Sequence, residues 1–141
     1  MKISTHGRYG LRMLIELSLF DGKEYVPLSE LARRMNVSSN YLESIAKPLK
    51  LAGILDSASG SMGGYRLSQP PEQLSAYRVL ALLEGSFAEN GFSADSSNST
   101  YRSFLNDIVW ERLDDSVFEY LTSVTVFDLA HRTTDRLQEH E

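Results

Sequence analysis

At 141 residues the chain has room for one globular domain, or one domain plus an extension, and a chain of this size hides roughly two-thirds of its unfolded surface. Its apolar content of 42% includes no run near the ~18 residues of a membrane span, and the start lacks the apolar stretch of a signal peptide. The absence of cysteine excludes disulfides, thiol switches, thiolate zinc sites and cysteine-held iron–sulfur clusters, and the expected location is cytoplasmic. The net charge of −5 is unevenly spread: Met1 to Arg66 carries nine Lys/Arg against six Asp/Glu, giving +3, and Leu67 to Glu141 five against thirteen, giving −8. A locally basic surface is what phosphate contact requires, whatever the sign of the whole. His6, His131 and His140 are too scattered for a metal site and read as solvent-exposed.

From Thr5 to Phe20 the residues Leu11, Met13, Leu14, Ile15, Leu17 and Leu19 predict a largely buried first helix, closed by Asp21-Gly22. Tyr25-Val26-Pro27 reads as an extended link. Leu28 to Met35 is a short second helix, with Leu28, Leu31, Ala32 and Met35 at helical spacing. Asn36-Val37 makes a tight turn, and Ser38 caps a third helix running to Ala52 and closed by Gly53. Two helices joined by so short a turn form a helix-turn-helix.

The third helix carries two stripes. Leu42, Ile45, Leu49 and Ala52 make a core face; Asn40, Glu43, Lys47 and Lys50, with Ser39 and Ser44 beside them, make a polar, mildly basic face. Ile54-Leu55 and Tyr65-Arg66-Leu67 bracket the Gly/Ser-rich stretch from Asp56 to Gly64, which predicts a β-hairpin, or wing. Its glycines let backbone approach another molecule closely. The expected fold class is mainly α with one small hairpin: a winged helix-turn-helix followed by a long C-terminal dimerisation helix.

Pro70-Pro71 leaves this module. Leu74 and Val79 straddle the cap Ser75 as a hydrophobic staple for a fourth helix that ends at Glu84-Gly85. Ser86 to Ser99 is a polar loop. A long helix is expected from about Thr100 to Val124, with Leu105, Ile108, Val109, Leu113, Val117, Leu121 and Val124 as its apolar stripe. At ~1.5 Å per residue it exceeds what a small domain needs, so the stripe is assigned to a second subunit. Thr125 to Leu137 is a last short helix before a fraying tail. The expected division is a DNA-binding region over 1–68 and a dimerisation and sensor region over 69–141.

These residues resemble the Rrf-type winged-helix transcription regulators. The likeness is carried by Met1-Lys2-Ile3-Ser4-Thr5, Gly7-Arg8-Tyr9-Gly10-Leu11-Arg12, Leu31-Ala32, Val37-Ser38 and Tyr41-Leu42-Glu43. It continues through Leu49…Ala52-Gly53, Gly63-Gly64-Tyr65-Arg66-Leu67, Leu83-Glu84-Gly85 and Ser123…Thr125…Asp128-Leu129, covering about residues 1 to 130 in order. The resemblance implies a homodimer bound to a pseudo-palindromic double-stranded operator, the helix from Ser39 in the major groove and the wing in the minor groove.

The DNA contacts it implies involve Ser38, Ser39, Asn40, Tyr41 and Ser44 as hydrogen-bonding groups, and Glu43 as an acceptor from a cytosine amino group. Lys2, Arg8, Lys47 and Lys50 would neutralise phosphates, Arg8 having the alternative of supporting the first helix. Ser57, Ser59, Gly60, Ser61, Gly63 and Gly64 would form the wing contact. For Tyr41 and Tyr65, core and interface roles both stand open.

Two departures from the family pattern matter. Many relatives carry an arginine in the wing where this chain has Ser59, a residue suited to a narrow, electronegative minor groove, so altered operator preference is expected. Cluster-binding relatives place three cysteines between the fourth and fifth helices, where Phe87 to Ser103 holds Ser93, Ser96, Ser97 and Ser99 but no thiol. The chain thus resembles the cluster-free, CymR-like branch, with no cofactor. The leading expectation is an operator-binding repressor answering a small effector or a metabolic-enzyme partner through the polar loop and dimer helix. The alternative is a winged-helix protein-interaction module that has lost operator binding. No catalytic residues are expected: paired carboxylates form no recognisable motif, and Gly60 to Gly64 lacks the lysine of a phosphate-binding loop.

Overall fold

A computed structural model describes residues 2–20, 22–85 and 100–139. The predicted loop from Ser86 to Ser99, with its serines, and Asp21 lie outside the described residues. Helix α1 (Thr5–Ser18) starts at the cap Ser4, whose hydroxyl accepts the Gly7 N–H at 3.2 Å. The Ser4 N–H and hydroxyl in turn donate to Glu84 Oε1 at 2.9 and 2.7 Å, tying the start of α1 to the end of α4 (Ala76–Glu84). These two helices pack closely because Gly7 and Gly10 face the seam. A Cβ on Gly7 would run into the Glu84 carboxylate, and one on Gly10 into Leu83 Cδ1. Met13, Leu14 and Leu17 are buried as expected, but the helix stops two residues before Phe20, leaving Leu19 as its C-cap, 48% exposed.

Helix α2 (Leu28–Met35) has the expected bounds. Asn36 takes the left-handed conformation (φ 54°) that turns the chain, a conformation asparagine tolerates better than most residues. Ser38 then caps α3 (Ser39–Leu51) by accepting the Tyr41 N–H at 3.1 Å. Leu42, Ile45 and Leu49 are fully buried, and Ala46 joins them; Pro48 sits inside the helix without ending it.

The wing is an antiparallel pair, β1 (Leu55–Ala58) and β2 (Gly64–Leu67), running from Leu55↔Leu67 to Ala58↔Gly64. Asp56 to Ala58 are paired, so the turn shrinks to residues 59–63 from the longer tip expected. Val26 in the link exchanges two backbone hydrogen bonds with Tyr65, at 2.8 and 2.9 Å, and so forms a third rung beside β2. Leu74, Ser75 and Val79 form the expected staple and cap of α4; both apolar members are fully buried.

The predicted long helix is interrupted. Helix α5 (Thr100–Leu105) passes through a π-helical segment, Asn106–Trp110, into α6 (Glu111–Ser123). A stripe with four-residue steps, such as 105–109–113–117–121, drifts about 40° per step on a helix of ~3.6 residues per turn. The π segment, with its wider i→i+5 ring, takes up much of that drift. Helix α6 lies against α4, with Phe118 meeting the Tyr77 ring edge-on at 4.7 Å. Helix α7 (Val126–Glu139) is longer than expected and packs across α1. Its start is held by a reciprocal pair: the Thr125 N–H donates to Asp128 Oδ2 at 3.0 Å, and the Asp128 N–H to Thr125 Oγ1 at 3.1 Å. Leu74, Val79 and Val126 lie in the same core cluster as Met13, Leu31 and Leu42, so residues beyond 68 complete the core of the winged helix. No described helix is long and apolar enough to cross a membrane.

Candidate nucleic-acid interface

Burying Leu42, Ile45, Ala46 and Leu49 turns the opposite side of α3 outward. Ser39, Asn40, Glu43, Ser44, Lys47 and Lys50 are all exposed there, at the three- and four-residue spacing that makes one face. Ser38 is exposed too, but its hydroxyl oxygen is engaged as the helix cap. Tyr41 is half-buried, with its ring 5.8 Å from His6 and edge-on to Tyr9 at 5.7 Å. It stands at the border of core and surface, which is why its role was open in the sequence.

The wing is fixed to this helix. Strand β1 packs against α3, and on the paired strand burial and the Glu43 charge both push the Tyr65 phenol above its ordinary pKa. Arg66 locks the same strand to the link: it donates to the Lys23 carbonyl at 2.9 Å, stacks over Tyr25 at 4.3 Å and lies 3.8 Å from Asp56. Ser59, Gly60 and Ser61 are exposed at the tip, and Gly60 has φ 96°. Gly63 and Gly64 are placed differently. Gly63 is buried against the Ala58 carbonyl, and the half-buried Gly64, at φ 146°, sits against the Val26 carbonyl. These two glycines close the hairpin and dock it on the link, so they shape the wing from within. Ser57 is half-buried and paired with Tyr65.

Lys2 and Arg8 are exposed at the start of α1; Arg8 Nε donates to the Ile3 carbonyl at 3.4 Å, bracing the segment that carries Lys2. His6, read from the sequence as solvent-exposed, and Met62, given no role there, are placed differently. His6 is half-buried and reaches Ser44 on α3 rather than facing solvent, a tertiary contact with no local signature. Met62 is 86% exposed at the wing tip.

The apolar stripe of the long helix is divided. Leu105, Ile108 and Leu113 are 41%, 49% and 39% exposed, whereas Val109, Val117, Leu121 and Val124 are half-buried. Tyr101, Phe104, Phe118 and Tyr120 add exposed aromatic surface that the stripe did not include.

A helix-turn-helix with a polar outward face and a hairpin wing docked beside it is the architecture of a winged helix-turn-helix regulator. The sequence model of the Rrf2 family, described as iron-dependent transcriptional regulators, matches residues 3–132, and the chain belongs to that family. It is 37% identical over 133 residues to the HTH-type transcriptional regulator CymR of Bacillus subtilis, spanning 94% of this chain and 92% of that protein. It is 31% identical to the HTH-type regulator IscR of Cereibacter sphaeroides over 92% of this chain and 86% of the relative. The solved structure of CymR, the global cysteine regulator of B. subtilis, superposes with a TM-score of 0.81 at 35% identity, covering 94% of this chain and 98% of that one.

The family description names iron, and the donor set here does not fit a cysteine-held cluster. The sequence contains no cysteine, and among the described residues no three His, Asp or Glu side chains converge on a metal-sized site. His131 instead stacks on Phe127 at 4.8 Å.

Proposed function

We propose that the chain is a homodimeric, operator-binding transcription repressor of the cytoplasm that works without an iron–sulfur cluster. The observation that carries this reading is the outward face of α3, where Asn40, Glu43, Ser44, Lys47 and Lys50 stand exposed together beside a wing docked at their flank. Such a face suits the major groove: its lysines meet phosphates while its amide, hydroxyl and carboxylate groups meet base edges. Residues 1–68 read DNA and 69–141 dimerise and receive the signal, although one core joins them.

The dimer is supported by the exposed Tyr101, Phe104, Leu105, Ile108 and Leu113, a run of apolar surface on one helical segment that a second copy would cover. With serine at 59, the wing tip offers a hydroxyl and the Met62 side chain in place of a guanidinium, so it adds little positive charge to the minor groove. The signal is a small effector or a metabolic enzyme. The test is to pass genomic fragments over the immobilised chain and sequence those retained. A shared pseudo-palindromic motif, with half-sites about one helical turn apart, is the expected result. Retention without any shared motif would favour the protein-interaction alternative, for which Ser59 and the net charge of −5 speak.

A further inference from the structure

Ser44 stands on the exposed face of α3, and its hydroxyl oxygen has two protein neighbours. It lies 2.5 Å from the Tyr41 carbonyl oxygen in the preceding turn and 3.2 Å from Nε2 of His6, which reaches across from α1. A serine hydroxyl has one proton and two lone pairs, and a carbonyl oxygen can only accept. Two oxygens so close require the proton between them, so Ser44 donates to Tyr41. His6 Nε2 is therefore the donor in its contact with Ser44, which places a proton on that nitrogen. The imidazole is held in place by its half-burial and by the Tyr41 ring 5.8 Å away, itself braced edge-on by Tyr9. Ser44 is left with one free lone pair and no free proton.

We propose that His6 is a positioning residue for base readout: its N–H fills one lone pair of Ser44 and so keeps the hydroxyl turned to the Tyr41 carbonyl, which leaves Ser44 an acceptor-only reader that selects an amino-bearing base, adenine or cytosine, on the strand it faces. The inference rests on the reading of α3 as the helix that enters the major groove. There adenine N6 and cytosine N4 are donors, guanine presents only acceptors, and thymine an acceptor and a methyl group. An unrestrained serine can donate or accept and discriminates poorly between these edges. With its proton committed, Ser44 rejects guanine and thymine. The Glu43 carboxylate beside it offers acceptor oxygens too, so two successive positions of α3 present the same demand.

The test is in-vitro selection from a random duplex library, read by sequencing, with the wild-type chain, His6→Phe, His6→Gln and Ser44→Ala. Phenylalanine keeps a ring against Tyr41 and removes the donor; glutamine keeps an N–H donor. For the wild type we expect one column in each half-site where adenine and cytosine together outnumber guanine and thymine by roughly threefold to tenfold, the worth of one hydrogen bond. Ser44→Ala flattens that column, His6→Phe flattens the same column by admitting guanine and thymine, and His6→Gln keeps most of the contrast. The salt dependence of binding stays unchanged in His6→Phe, because no phosphate contact is lost. A column that responds to Ser44→Ala but not to His6→Phe overturns the inference and leaves the role of α3 standing, as does a selected motif in which no column responds to Ser44→Ala. A wild-type chain that enriches no motif overturns the reading of α3 and this inference with it.

Discussion

Gly64 shows how a single missing methyl group positions the wing. Its φ of 146° lies where L side chains are strained, and the Val26 carbonyl occupies the space a Cβ would need. We expect Gly64→Ala to destabilise the fold by about 1–3 kcal/mol, read as a fall in the thermal midpoint, and to weaken DNA binding through the displaced wing. An unchanged melting curve would show that the link and hairpin are not held by this contact. Asp128 makes a second prediction. The backbone and side-chain hydrogen bonds from Thr125, with smaller contributions from Arg132 and His131, hold its carboxyl below the ordinary value of 3.8. A depressed folded pKa means that its contribution is complete above the unfolded value and lost as pH falls through the folded one. Acid titrations of stability should therefore lose slope below about pH 4 in Asp128→Asn, whose stability at neutral pH is also lower. The caps were legible because Ser38, Ser75 and Asn36 act within their own turns. His6 was not, since its partner Ser44 is 38 residues away and only packing of α1 on α3 brings them together.

At the scale of elements, the helices and hairpin followed from apolar spacing and turn residues, and α2 kept its predicted bounds. The π segment did not, although the four-residue steps of the apolar stripe carried its trace. A continuous α-helix would wind Leu105 and Leu121 to different sides; the wider ring at Asn106–Trp110 removes much of that drift. Deleting the exposed Asp107 should restore α-helical winding, turn Phe104 and Leu105 by roughly 100° relative to α6 and weaken self-association. Sedimentation equilibrium should give the dimer mass for the wild type and the monomer mass for this variant and for Ile108→Glu, which places a charge in the exposed apolar surface. Two variants that remain dimeric would move the interface elsewhere. The division of the stripe into exposed and half-buried halves was not legible either, because periodicity cannot tell a surface covered by α4 from one left for a partner.

For the whole molecule, charge is the property that decides between readings. The chain is acidic overall, at −5, yet its first 66 residues carry +3, and Lys2, Arg8, Lys47 and Lys50 stand exposed on that half. The acidic remainder, at −8, discourages indiscriminate attachment to nucleic acid while the basic face still meets phosphates. This asymmetry was legible in the sequence, as was the absence of cysteine; the identity of any signal was not, because the stretch from Ser86 to Ser99 is polar and without periodicity. The most direct test of the central claim is the salt dependence of binding to a retained genomic fragment, for the wild type and for Lys47→Ala/Lys50→Ala. A dimer that touches phosphates through both lysines should lose affinity steeply with salt, and the double variant should flatten the log–log slope by about 3 to 4, at ~0.9 per phosphate contact. A wild-type affinity that barely changes with salt, or a slope the double variant leaves untouched, would contradict α3 as the DNA-reading helix.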